Sequence, residues 1–243
     1  MHPIICQFGP FTVYSYGLAL VVSFLTASYL AQKQALRGGI DPQAIFNLLF
    51  ISFICGVIGS RLFYVIENFG YYLGNPLEMV MFQHGGLSWF GGIFLGCLSA
   101  LCYLKIKKLP IYKTLDLIIP FVALGQAIGR IGCFLNGCCY GKPSISYGVY
   151  FPGLDARLIP TQIYSSAAMF LIFLFLKRRL ERPHRDGQVL FMYFLLYSIK
   201  RFTIEFWRAD NPVVAYGLTL FQYISIIVFS AALWQLVSAG RKK

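Results

Sequence analysis

Charge is scarce in this 243-residue chain: Asp, Glu, Lys and Arg together make up only 12%, with nine acidic residues and three histidines. A soluble domain carries roughly twice that fraction. The shortage excludes an ordinary cytosolic enzyme, and with it a disordered chain. Ten-residue apolar/polar alternation is also missing, which argues against a membrane β-barrel. No internal repeat, low-complexity tract or long linker interrupts the sequence. No Lys or Arg precedes the first apolar stretch, and no Ala-x-Ala-like site follows it. That stretch is therefore expected to remain as a span rather than to be a cleaved signal peptide. What the chain does have is apolar surface: 58% hydrophobic and 17% aromatic residues, with a mean hydropathy of +0.66.

A membrane helix needs about 20 mostly apolar residues. Seven stretches qualify, at 13–32, 44–66, 87–104, 115–133, 160–176, 188–206 and 216–237. The expected fold is an all-α integral membrane protein of seven transmembrane helices, forming a single polytopic domain over 1–243. The net charge of +12 would suggest a nucleic-acid partner. The placement of the charges redirects that reading. Of the 21 Lys and Arg residues, fourteen fall in the first, third and fifth loops and the C-terminal tail. Three (Lys142, Arg157 and Arg208) fall in the alternate loops. This bias places the N-terminus outside and the C-terminus in the cytoplasm. The basic loops then face anionic lipid heads, and no nucleic-acid partner is required.

Arg61, Arg130, Lys200 and Arg201 are left within the spans, together with Glu205. Charge at that depth is expensive and marks functional sites unless it snorkels to the interface. Four segments stand out. GRIGCFLNGCCYG, Gly129 to Gly141, joins a guanidinium fork suited to phosphate to glycines that let backbone approach a ligand. QHGGLSWFGG, Gln83 to Gly92, carries His84 in glycine-dense backbone expected to be kinked or re-entrant. In YSIKRFTIEFWR, helical spacing puts Tyr197, Arg201, Glu205 and Arg208 on one face, with Arg201 and Glu205 able to pair at i,i+4. VYSYGLAL opens the first span with Tyr16. All four reach the outer half of the bilayer in the derived topology, which suggests a site for an anionic lipid headgroup.

Five motifs occur in order along the chain. They are Tyr-Gly-Leu in the first span, His-Gly-Gly-Leu-Ser before the third and Gly-Arg-x-Gly-x-Phe-x-Asn-Gly after the fourth. Pro-Thr-Gln-x-Tyr opens the fifth, and Arg-Phe-x-x-Glu-Phe-x-Arg lies in the sixth. The combination resembles the prolipoprotein diacylglyceryl transferase family. The resemblance implies a seven-span bacterial inner-membrane enzyme with its active site toward the outer leaflet. It implies transfer of the diacylglyceryl group of phosphatidylglycerol to the lipobox cysteine thiol of a preprolipoprotein signal peptide, with release of glycerol-1-phosphate. By matching position, Arg130 and Arg201 hold the lipid phosphate, and His84 and Tyr16 lie at the reacting centre. Asn136, Gly137 and Gly141 shape the headgroup pocket, Tyr197 and Glu205 orient Arg201, and Gln162 and Tyr164 complete the substrate site. No cofactor and no metal is called for.

The chain departs from the family pattern at Cys133, Cys138, Ile159 and Ser165, where Asn, Glu, His and Glu are usual. The departures leave two alternatives: a paralogue using a different lipid or thiol acceptor, or a membrane thiol-redox protein using Cys133, Cys138 and Cys139. Of the seven cysteines, Cys55, Cys97 and Cys102 read as small apolar fillers within spans. The Cys-x4-Cys-Cys spacing fits no standard metal pattern.

Overall fold

A computed structural model describes residues 2–8, 11–74, 76–81 and 85–241. His84, Gln83 and the last two lysines lie outside the described residues. The chain is mostly helical: α1 (Ser15–Gly38), α2 (Pro42–Glu67), a short α3 (Phe69–Gly74), α4 (Trp89–Ile106), α5 (Ile111–Asn136), α6 (Thr161–Leu180), α7 (Gln188–Glu205) and α8 (Leu220–Arg241). Each expected span overlaps one long helix. Five of these helices are long and apolar enough to cross a membrane: α1, α2, α4, α5 and the Leu220–Ser238 part of α8. Only 11% of the most apolar stretch of α4 is buried, so its outward face meets no protein. The polar residues of α6 and α7 instead turn inward: Thr161, Gln162, Ser165, Lys200 and Glu205 are all buried.

Three antiparallel hairpins were not legible in the sequence. β1 (Ile4–Phe8) pairs with β2 (Phe11–Tyr14), β3 (Val149–Phe151) with β4 (Ala156–Leu158), and β5 (Val213–Ala215) with β6 (Leu218–Thr219). Each adjoins a helix end that carries residues of interest. The first runs straight into α1, where the Ser15 amide donates to the Pro3 carbonyl at 2.9 Å.

The chain divides into two compact units, residues 31–114 and residues 1–30 with 115–243. In the 31–114 unit, α2 and α4 pack through glycine. A Cβ on Gly59 would lie 2.5 Å from the Gly91 carbonyl oxygen, and one on Gly92 2.7 Å from Ser60 Oγ. Small residues let two membrane helices approach this closely. The Gly91–Gly92 pair, half of the glycine density seen in the sequence, therefore serves helix packing. Arg61 on α2 is 4% exposed and does not snorkel. Its guanidinium donates to the carbonyls of Glu78 (2.5 Å), Met79 (3.0 Å), Met81 (3.1 Å), Gly85 (2.5 Å) and Gly86 (3.0 Å). Gly85 and Gly86 have φ of +77° and +76°, so the backbone before α4 is irregular.

In the other unit, Pro120 is tolerated inside α5, whose end is closed by a Gly137 cap. Gly137 has φ +75°, and the Cys138 amide donates back to the Cys133 carbonyl at 3.1 Å. The start of α7 has no side-chain cap of its own. Asp116, on α5 and 1% exposed, supplies one from a distance, accepting the Gly187 and Leu190 amides at 2.7 Å each. Replacing Asp116 with Ala strands both buried donors, and we expect a loss of about 3 kcal/mol of stability. Thermal unfolding in detergent checks this; an unchanged midpoint would contradict the capping role.

Candidate active site

Within the second unit, α1, α5, α6, α7 and the loop after α5 bring most of the expected residues together. Gly132 on α5 lies against α1: a Cβ there would sit 2.5 Å from Ala19 Cβ and 3.6 Å from Tyr16 Cα. This close approach sets Tyr16 in the electrostatic field of Cys133, Cys138, Cys139 and Arg130. Gly141 is wedged in the same way. Its Cβ would meet the Trp207 carbonyl oxygen at 2.5 Å and Ile159 Cβ at 2.9 Å. Its amide donates to the Ile159 carbonyl at 2.9 Å, and it bridges to Arg208. The role seen for Gly141 is thus to let three chain segments meet.

Cations dominate the electrostatics. Arg201 pairs with Glu205 at 3.1 Å, as the helical spacing indicated. Glu205 is 3% exposed. It also accepts from Thr219 Oγ1 at 2.8 Å and Asn211 Nδ2 at 2.7 Å. Its position is therefore held from three sides, and the Arg201 guanidinium lies 4.3 Å from the Phe221 ring. Arg208 is held by Asp210 through two parallel bonds, Nε to Oδ1 at 2.8 Å and Nη2 to Oδ2. Arg130 has no hydrogen bond or ion pair among the described residues, which leaves its fork open. Lys200, read from sequence as a residue that snorkels as readily as not, is buried here. Its ammonium lies 3.3 Å from Ser165 Oγ and 4.4 Å from the Tyr197 ring centroid, with Arg130, Arg201 and Arg208 close enough to interact. Three arginines, with the Lys200 amine buried beside them, face two carboxylates. Such a surplus in a half-buried setting attracts an anion.

The remaining expected residues separate. Gln162 is 1% exposed and donates to the Cys138 carbonyl at 2.6 Å, so it ties the loop to α6. Tyr164 is 43% exposed. Asn136 is exposed at the end of α5, and the Cys138 thiol donates to the Cys133 carbonyl at 3.6 Å. Tyr197 stacks near Tyr193 at 5.7 Å and carries Lys200 above its ring. Asn211 and Thr219, which hold Glu205, are neighbours of this site that the sequence did not mark. The three cysteines after Arg130 also converge, their sulfurs within 4.8 Å of one another. Thiol donation from Cys133 and then Cys138, with Arg130 and Arg208 nearby, pulls the Cys139 thiol below the ordinary thiol range.

The profile of the family described as prolipoprotein diacylglyceryl transferase matches residues 3–238. A protein from Clostridium tetani named phosphatidylglycerol–prolipoprotein diacylglyceryl transferase is 35% identical over 232 residues, covering 93% of each chain. One of the same name from Streptococcus pyogenes serotype M5 is 32% identical over 253 aligned positions, covering 100% of this chain and 97% of its own. The ordered motifs, the helical architecture and this full-length similarity agree: the chain belongs to the prolipoprotein diacylglyceryl transferase family.

Proposed function

We propose that this protein is a transferase that moves the diacylglyceryl group of phosphatidylglycerol onto the lipobox cysteine thiol of preprolipoproteins, releasing glycerol-1-phosphate. Family membership and the names of the relatives support the reaction. The observation that carries it to this site is the Arg130 fork, without a hydrogen bond or ion pair among the described residues and within range of Arg201 and Lys200. That arrangement suits a lipid phosphate, which must first be bound and then leave carrying charge.

In this reading the acceptor thiol gives its proton to a base, His84 in preference to Tyr16. Its sulfur attacks the glyceryl carbon that bears the phosphate. A C–S bond forms, the C–O bond to phosphate breaks, and the bonding pair leaves on the phosphate oxygen, where Arg130 and Arg201 neutralise it. Tyr197 and Glu205 orient Arg201. Asn136, Gly137 and Gly141 shape the headgroup pocket, and Gln162 and Tyr164 complete it. The seven long helices span the bacterial inner membrane as one polytopic domain, N-terminus outside and C-terminus in the cytoplasm, with the site toward the outer leaflet. The bias of basic residues toward the first, third and fifth loops and the C-terminal tail supports this orientation.

The test is direct. Solubilised enzyme, given phosphatidylglycerol and a lipobox peptide, is expected to yield a thioether-linked diacylglyceryl peptide detected by mass. No product under conditions where the Clostridium tetani relative is active would overturn the assignment.

A further inference from the structure

Cys133, Cys138 and Cys139 take no part in the transfer described above, yet the fold gathers them. We propose that these three cysteines form a three-thiolate site for a thiophilic d10 metal ion, Zn(II) or Cu(I). Their sulfurs lie within 4.8 Å of one another. Metal–sulfur bonds of about 2.3 Å set sulfurs roughly 4 Å apart around one ion, so a small closure of the side chains completes the geometry.

The scaffold is fastened mainly by backbone and α6 side chains; the one bond from a sulfur, Cys138 Sγ to the Cys133 carbonyl at 3.6 Å, would be given up on binding. The Cys138 amide is bonded to the Cys133 carbonyl at 3.1 Å across the α5 cap. The Cys138 carbonyl accepts from Gln162 Nε2 at 2.6 Å, and the Cys139 carbonyl from Thr161 Oγ1 at 2.8 Å. Cys139 itself adopts a left-handed φ of +61°, which turns its side chain away from the direction a continuing helix would give it. Convergence of three thiols on a backbone pinned at every step is preorganisation, and it lowers the ordering cost of binding.

Charge fits as well. Three thiolates around a mono- or divalent cation leave net negative charge. Arg130 and Arg208 both act on Cys139 and offset it. Cys133 is buried, while Cys138 and Cys139 are partly exposed, so the cluster can be reached from one side. Among the described residues no fourth His, Cys, Asp or Glu joins the group. Three soft ligands alone suit Cu(I); three plus one exchangeable position suit a Zn(II) site of the open type. A dithiol redox pair would need only two of the three sulfurs.

The experiment uses the full-length protein in detergent with its thiols reduced, titrated with Zn(II) alone and, anaerobically, with Cu(I) alone, each against a chromophoric chelator. The expected result is one equivalent bound in at least one arm, with a thiolate-to-metal charge-transfer band in the copper arm. The triple variant Cys133→Ser, Cys138→Ser, Cys139→Ser loses that equivalent. A variant with Cys6, Cys55, Cys97 and Cys102 changed to Ser keeps it. Absence of stoichiometric binding of either ion to the reduced wild-type protein overturns the proposal, as does retention of the equivalent by the triple variant. A disulfide among the three that re-forms in air, with dioxygen as oxidant, once the reductant is removed and Zn(II) is present, seen as a mass lower by two hydrogens, also overturns it in favour of a redox pair. None of these readouts depends on transferase activity, so the outcome is separable from that of the proposed reaction.

Discussion

Replacing Arg130 with Ala is expected to lower transfer by at least about 100-fold while leaving the fold intact. Removing a single preorganised stabiliser of developing charge costs about that much in well-studied enzymes. Arg130 has no hydrogen bond or ion pair among the described residues, so its loss strands no partner and the thermal midpoint should hold. Arg201 differs. Its removal abolishes turnover too, but it also leaves Glu205, 3% exposed, without its cation. A buried charge robbed of its partner costs about 3–5 kcal/mol. The bonds from Asn211 and Thr219 reduce that figure without cancelling it. Arg201→Ala should therefore lose both activity and stability, whereas Arg130→Ala loses activity alone. Turnover assays paired with unfolding curves separate the two. Activity near that of the unsubstituted enzyme in Arg130→Ala would remove the phosphate clamp. Lysine at position 130 should restore little, because a point charge does not reproduce a planar fork.

Arg61→Met is the second large effect expected. Five backbone carbonyls converge on this one guanidinium, which also lies 5.4 Å from the Tyr72 ring and 5.9 Å from the Tyr64 ring. No other side chain has five donors in a fixed plane. A methionine of similar length fills the space but leaves the acceptors without donors, each costing about 1–3 kcal/mol while it stays buried. The loop will reorganise before it bears the whole sum. The expected result is therefore faster amide exchange across 85–88, together with a loss of activity, since His84 directly precedes Gly85 in the chain. Unchanged exchange at those amides would show that the carbonyls find other donors. Arg61→Lys should behave like Arg61→Met, since three ammonium donors cannot serve five carbonyls spread along the loop.

Legibility in the sequence followed the range of the interaction. Arg201 and Glu205 are four residues apart on a helix, so their pairing could be read from spacing alone. Arg130 could be read because a cation in an apolar, glycine-flanked stretch is too costly to keep there without a use. Lys200 carried the same signal, but its burial depends on Ser165, thirty-five residues away on α6. Nothing in the local period reveals that contact. The glycines also serve packing: Gly91 and Gly92, expected in a kinked or re-entrant segment, let α4 approach α2, and Gly141 lets neighbouring backbone come close.

The sequence by itself determined the family, the apolar helices and the sign of the site's charge. These follow from composition, from motif order and from the energetic penalty on charge in apolar stretches, all of which are properties of the linear chain. Tertiary structure alone decided where Arg61 spends its donors and how Asp116 caps a helix more than seventy residues away. It also decided that three cysteines separated by a helix cap share one volume. Each of these rests on backbone groups meeting at a distance, and the hydrogen bonds of the backbone carry no mark in the identities of the side chains that precede them.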